Sequence, residues 1–255
     1  MACIFPDANG AGRPHSPSLA PGTLYLIPAT LGGSDAAAVL PAGVQDRIRR
    51  LDYFIAENPK TARAFLKLVG PGRPLQSIKI ERLDHNTPAT AIDTLIAPVL
   101  AGADAGLIAE AGCPAIADPG AMLARRAHER GVRVAPLVGP SSILLALIAS
   151  GLESQRFAFH GYLPVKTPAR HQAIRGIESR SHKYCETQIF IETPYRNVQL
   201  LDSLLAVCRP DTMLCIAAML TLPGESVRTS RIADWRKNKP DLKDRPSVFL
   251  ILARH

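Results

Sequence analysis

The run Leu107-Ile108-Ala109-Glu110-Ala111-Gly112-Cys113-Pro114-Ala115-Ile116-Ala117-Asp118-Pro119-Gly120 passes from an apolar stretch into a loop punctuated by glycine and proline. Small residues at Ala111, Gly112, Ala115 and Ala117 let backbone amides approach a bound molecule without side-chain obstruction. Pro114 and Pro119 stiffen the same connection. The chemistry this predicts is ligand binding through the main chain; the competing reading is a rigid turn between a strand and a helix. No GxGxxG follows an apolar strand, which argues against nucleotide dehydrogenases and Rossmann-like methyltransferases.

Such a loop needs a sheet to hold it. The periodicity predicts strands at 23–28, 52–56, 77–81, 105–110 and 132–136, with helices near 42–51, 60–69, 89–101, 120–130 and 141–150. That alternation implies a mostly parallel sheet covered by helices. Further apolar runs lie at 157–160, 187–192, 213–218 and 247–252, with helices near 168–178 and 196–207, and Ser226 to Ile232 offers another strand. Gly151 can stop a helix, which puts a domain boundary near 151. Ligands of open α/β sheets sit at the carboxyl ends of strands, so the loops after 23–28, 52–56 and 105–110 are the places for a site.

Composition bounds the rest. A chain of 255 residues with 47% hydrophobic content can bury real cores. The stretch from Leu137 to Leu152 is interrupted by Gly139, Pro140 and serines, so no membrane-spanning helix is expected. Residues 1–21, with Pro6, Pro14, Pro17 and Pro21, read as a disordered tail without a secretory signal. Five cysteines without CxxC spacing support neither zinc nor a disulfide framework, and fit reduced thiols in a cytoplasm. Of the net charge of +8, +6 lies in residues 151–255, which hold 16 basic and 10 acidic residues. A positive face there could meet phosphate, with Arg196, Arg228 and Arg231 among the contacts; a solvated surface is the plainer account.

Other segments carry more than periodicity. They are Gly22 to Gly32, Val138-Gly139-Pro140-Ser141-Ser142, Phe157 to Pro164 and Phe190-Ile191-Glu192-Thr193-Pro194-Tyr195-Arg196. With the 107–120 loop, and in this order, the set resembles the tetrapyrrole methylase superfamily of S-adenosylmethionine-dependent methyltransferases. Within it the chain is most similar to the branch containing the small-subunit ribosomal RNA cytidine-2′-O-methyltransferase. The resemblance covers about residues 22 to 253.

It implies two α/β domains with the cofactor cleft between them, over 22–150 and 151–255, the first sheet mostly parallel and the second mixed. It implies S-adenosylmethionine as methyl donor, a homodimer and an RNA acceptor. The donor residues it implies are Pro28, Ala111, Gly112, Cys113, Pro114, Ala115, Ile116, Asp118, Pro140 and Ser141 from the first half. From the second half it implies Phe190, Glu192, Ala218, Met219 and Thr221. The helix start at Pro140-Ser141 would also present amide donors to a carboxylate.

Methyl transfer from a sulfonium is an in-line displacement with a neutral leaving group, so holding donor and acceptor in line supplies most of the catalysis. Glu57 and His85 stand at acceptor-side positions, where they would orient or deprotonate a hydroxyl; capping or surface roles are the alternative. The branch's second acid and arginine are replaced by Asn58-Pro59-Lys60, its usual histidine by Tyr195, and a lysine-containing stretch by Leu222-Pro223-Gly224-Glu225. These departures lie on the acceptor side. Other readings are a methylase of a tetrapyrrole-like small molecule and a non-catalytic donor-binding regulator.

Overall fold

The computed structural model describes residues 20–253; the expected tail over 1–21 lies outside them except for its last two residues. The first five strands are β1 (Thr23–Ile27), β2 (Tyr53–Ala56), β3 (Lys79–Arg82), β4 (Ala105–Ile108) and β5 (Arg133–Pro136). They form one all-parallel sheet in the order β3-β2-β4-β1-β5. β2 and β4 are buried at every position, as strands covered on both faces must be. Their covers are α1 (Ala42–Arg49) and α2 (Pro59–Val69) on one face, and α3 (Ala89–Leu100) and α4 (Gly120–Glu129) on the other. Alternation along each strand sorts the side chains: Ile27, Phe54 and Ile108 meet Ile48 and Leu66, while Leu24, Ile55 and Leu107 meet Ile96 and Leu123.

The chain then enters α5 (Ser142–Ser150), β6 (Phe157–Tyr162), α6 (Thr167–Tyr184), β7 (Thr187–Ile191) and α7 (Asn197–Val207). It finishes through β8 (Met213–Ala218), β9 (Ser226–Arg231), α8 (Ile232–Lys237) and β10 (Ser247–Leu252). These strands make a mixed sheet in the order β6-β7-β10-β8-β9, with β6 and β7 parallel and the other pairs antiparallel. One face, carrying Phe190, Ile216 and Phe249, packs against α6, α7 and α8. The opposite face, carrying Ile189, Cys215, Ala217 and Leu250, packs against Ile143, Ala146 and Leu147 of α5. Thus α5 lies on the second sheet although it precedes Gly151.

Two elements differ from the periodicity. α6 continues to Tyr184 because its last turns bury polar groups that find partners: Glu178 accepts from the Arg209 N–H (2.8 Å) and the Thr212 hydroxyl (2.6 Å), and the Ser181 hydroxyl donates to the Glu186 carbonyl (2.8 Å). An apolar repeat is silent about such positions. α8 is too short for a periodic signal and is anchored by Trp235, whose indole N–H donates to the Leu214 carbonyl at 2.9 Å. Among the described residues no helix is long and apolar enough to cross a membrane.

Candidate active site in the cleft between the sheets

The carboxyl ends of β1, β2 and β4 face the end of the second sheet formed by Ile191, Ala217 and Val248, which lie side by side across β7, β8 and β10. Two adjoining cavities fill the space between, about 330 and 250 Å³, sharing Ala111, Ser142, Tyr162 and Ile191. Together they are of the size that small-molecule sites occupy.

The 107–120 loop forms the floor. Gly112 has φ +68°, and its carbonyl accepts from the Ala29 N–H at 2.9 Å, tying the loop to the end of β1. Ala115 and Ala117 are also left-handed, at φ +66° and +59°. Met219 and Thr221 adopt the same conformation (φ +56° and +64°) in the loop after β8. Strained backbone of this kind gathers where surrounding structure over-determines a ligand loop. Asp118 holds the turn: one carboxylate oxygen, Oδ1, accepts from the Ala115 N–H (2.8 Å) and the Gly120 N–H (2.7 Å). Burial raises its pKa, and those two bonds oppose the rise. Asp118 lines the larger cavity, and its first task is to shape the loop.

At the opposite wall, Ser141 caps α5 by accepting from the Leu144 N–H at 3.5 Å, and Ser141, Ser142 and Ile143 line the larger cavity. The first turn of α5 therefore presents its positive end to a ligand. Cys113 approaches the Pro140 carbonyl (Sγ to O, 3.5 Å), and burial pushes its thiol up. Pro28 lies behind this wall: a Cβ on Gly139 would stand 2.2 Å from the Pro28 ring, so only glycine lets the two connections touch.

Glu57 directly follows β2 and lines the larger cavity. Its carboxyl is raised by burial; His85 opposes the rise, and Glu110, Asp118 and Asp84 add to it. His85 Nε2 lies 4.0 Å from Glu57 Oε1. Of the two residues expected from sequence to meet an acceptor, Glu57 lines the larger cavity, whereas His85 stands beside it with its side chain mostly exposed and lines neither cavity.

Not every expected side chain reaches the cleft. Phe190 and Ala218 point to the other face of their sheet, into the core with Phe249, which stacks on Phe190 at 6.1 Å between centroids. Their neighbours Ile191 and Ala217 face the cleft instead, because successive strand residues alternate sides. Tyr162, Glu110 and Val248 line the site and were not singled out. Tyr162 follows a register shift after Phe159, with Gly161 at φ +65°, which turns its ring into the cleft; the phenol is raised by burial and by Glu192 and Glu57, so it is a donor at neutral pH. A glycine inside an apolar strand is the sequence signal of that bulge.

Glu192 is buried and bound: its Oε1 accepts from Arg196 Nη2 (2.7 Å), Arg196 Nε (2.9 Å) and the Thr193 N–H (2.6 Å). Arg196 is thereby committed to a carboxylate, and Arg228 lies over the Trp235 ring at 4.5 Å. Arg196→Ala should leave a buried carboxylate without its cation and lower the urea midpoint, with Arg196→Lys recovering part of the loss because an ammonium cannot reproduce the fork. An unchanged midpoint would show the pair to be dispensable.

A family model, the Tetrapyrrole (Corrin/Porphyrin) Methylases, matches residues 23–235, which is most of the chain and every strand but β10. The chain belongs to the tetrapyrrole methylase family. It is accordingly a methyltransferase. This methylase is 30% identical over 233 residues to the ribosomal RNA small subunit methyltransferase I of Escherichia coli O157:H7, covering 90% of this chain and 77% of that protein. It is 30% identical over 235 residues to the protein of the same name from Xylella fastidiosa strain Temecula1, covering 92% and 82%. In fold it is similar to the methyltransferase CobJ, with TM-score 0.59 at 16% identity, covering 91% of this chain and 94% of that one. The uroporphyrin-III-C-methyltransferase from Thermus thermophilus gives TM-score 0.52 at 20% identity, covering 91% and 92%.

Proposed function

We propose that this methylase transfers a methyl group from S-adenosylmethionine to an RNA of the small ribosomal subunit. The observation that carries the reading is the cleft itself, joined to relatives named ribosomal RNA small subunit methyltransferase I over most of both chains. The residues fit the donor. The first turn of α5, behind Ser141, suits a carboxylate. Glu57, Glu110 and Asp118 make the larger cavity acidic, which suits a sulfonium and an ammonium. The row Ile191, Ala217 and Val248 offers the smaller cavity an apolar wall for an adenine ring. The donor supplies an electrophilic methyl group; the chain's own task is to hold that group in line with an acceptor hydroxyl and to accept the hydroxyl's proton at Glu57, with His85 beside it. Units over residues 22–150 and 151–255 would flank this cleft, with α5 crossing from the first to pack on the sheet of the second.

The test is incubation of the chain with labelled S-adenosylmethionine and small-subunit ribosomal RNA or particles from cells lacking it. Label in the RNA supports the reading; label only in small molecules or protein overturns it. RNA affinity should also fall steeply with salt, the logarithmic slope being roughly 0.7 to 0.9 per phosphate neutralised. Weak, salt-independent binding would contradict a phosphate-anchored acceptor.

We propose in addition that the chain works in the cytoplasm as a homodimer. Val138, Leu144 and Ile148 are 71%, 53% and 75% exposed around α5, and the last two share one helical stripe. Light scattering at twice the monomer mass supports this; a monomer at micromolar concentration overturns it.

A further inference from the structure

Beyond Glu57 the larger cavity opens into a third recess, about 370 Å³, bounded by Glu57, Asn58, Pro59, Arg82, Asp84 and Glu110. It shares Glu57 and Glu110 with the larger cavity, so the two meet at a wall of carboxylates. Arg82, at the end of β3, lies with Nη2 2.8 Å from Asp84 Oδ2. Asp84 meets a desolvation that raises its carboxyl, and hydrogen bonds from the Thr87 hydroxyl and the Asn86 N–H, with Arg82 nearby, bring it below the usual range. The Thr61 hydroxyl fixes Glu110 at 2.5 Å.

We propose that this recess receives a single acceptor nucleoside, extruded from its strand, with its phosphates left outside, and that Arg82 reads the edge of its base. The proposal rests on the RNA reading above and deepens it. Three carboxylates against one guanidinium repel a phosphate, whereas a neutral nucleoside offers amino and hydroxyl donors to the carboxylates and a carbonyl or ring-nitrogen acceptor to Arg82. A base inside a helix cannot reach such a pocket, so it must leave the stack. Arg82 does not line the donor cavities, and its fork, held by Asp84, is oriented without being used up.

The test uses the full chain, S-adenosylmethionine and small-subunit ribosomal RNA. The methylated nucleoside is first mapped with the wild type, and transfer is then measured on RNA carrying each other base at that position. Arg82→Met should bind the donor as the wild type does, lose about tenfold or more in kcat/KM for the native RNA, and discriminate less between bases. Asp84→Asn, which frees the fork, should show a smaller loss in the same direction. If Arg82→Met transfers and discriminates as the wild type does, the assignment is overturned while the RNA reading stands. If the wild type methylates no RNA, the reading falls and this assignment with it.

Discussion

A Gly112→Val chain is expected to fold and to lose S-adenosylmethionine binding by a hundredfold or more, about 2.8 kcal/mol at the conversion of 1.4 kcal/mol per decade. Gly112 holds φ +68°, where a β-branched residue is strained. A Cβ there would lie 3.2 Å from Leu31 Cδ2 and 3.4 Å from the Pro140 carbonyl, two walls of the same cleft. The loop must therefore shift, and with it the bond from the Ala29 N–H and the turn that Asp118 staples. Gly112→Ala meets the same backbone cost without the second branch, so its loss should be smaller. Calorimetry with S-adenosylmethionine and its demethylated product reads the affinity, and thermal melting reads the fold. A folded Gly112→Val chain with unchanged affinity would reduce the loop to a structural turn.

Glu57→Gln should lower the single-turnover transfer rate by about 10²- to 10⁴-fold, the range for removal of a positioned proton acceptor, with a much smaller loss of donor affinity because Glu110 and Asp118 keep the cavity acidic. The sign of the pH dependence follows from the raised carboxyl, whose chief cause is burial. Wild-type transfer should fall as pH is lowered through a value above that of an ordinary glutamate, and the Gln variant should lack this limb. Stability runs the other way: a raised folded-state pKa contributes stability that is present below the unfolded value and lost as pH rises through the folded one. The melting temperature of Glu57→Gln relative to wild type should therefore increase from acid to neutral pH. A pH profile shared by both chains would place the proton acceptor elsewhere.

What the amino-acid sequence determined by itself was local. β2 and β4 are apolar at nearly every position, and the glycines and prolines after them mark where the chain must turn, so the strands, their order along the chain and the loops of the site were legible. The same local punctuation carried the resemblance to the methylases. Which side of a strand faces the cleft was not local. Phe190 and Ile191 are equally apolar, and only the packing of α6 and α7 on one face and α5 on the other decides that Ile191 lines the site while Phe190 stacks on Phe249. α5 itself reads Ser-Ile-Leu-Leu-Ala-Leu-Ile-Ala-Ser, with apolar residues on all sides, so its sequence names no partner. Tertiary structure assigned it to the second sheet and so carried its first turn into the cleft. It likewise spent Arg196 on Glu192, a choice made by burial, because a carboxylate withdrawn from water needs its cation more than a solvated phosphate does.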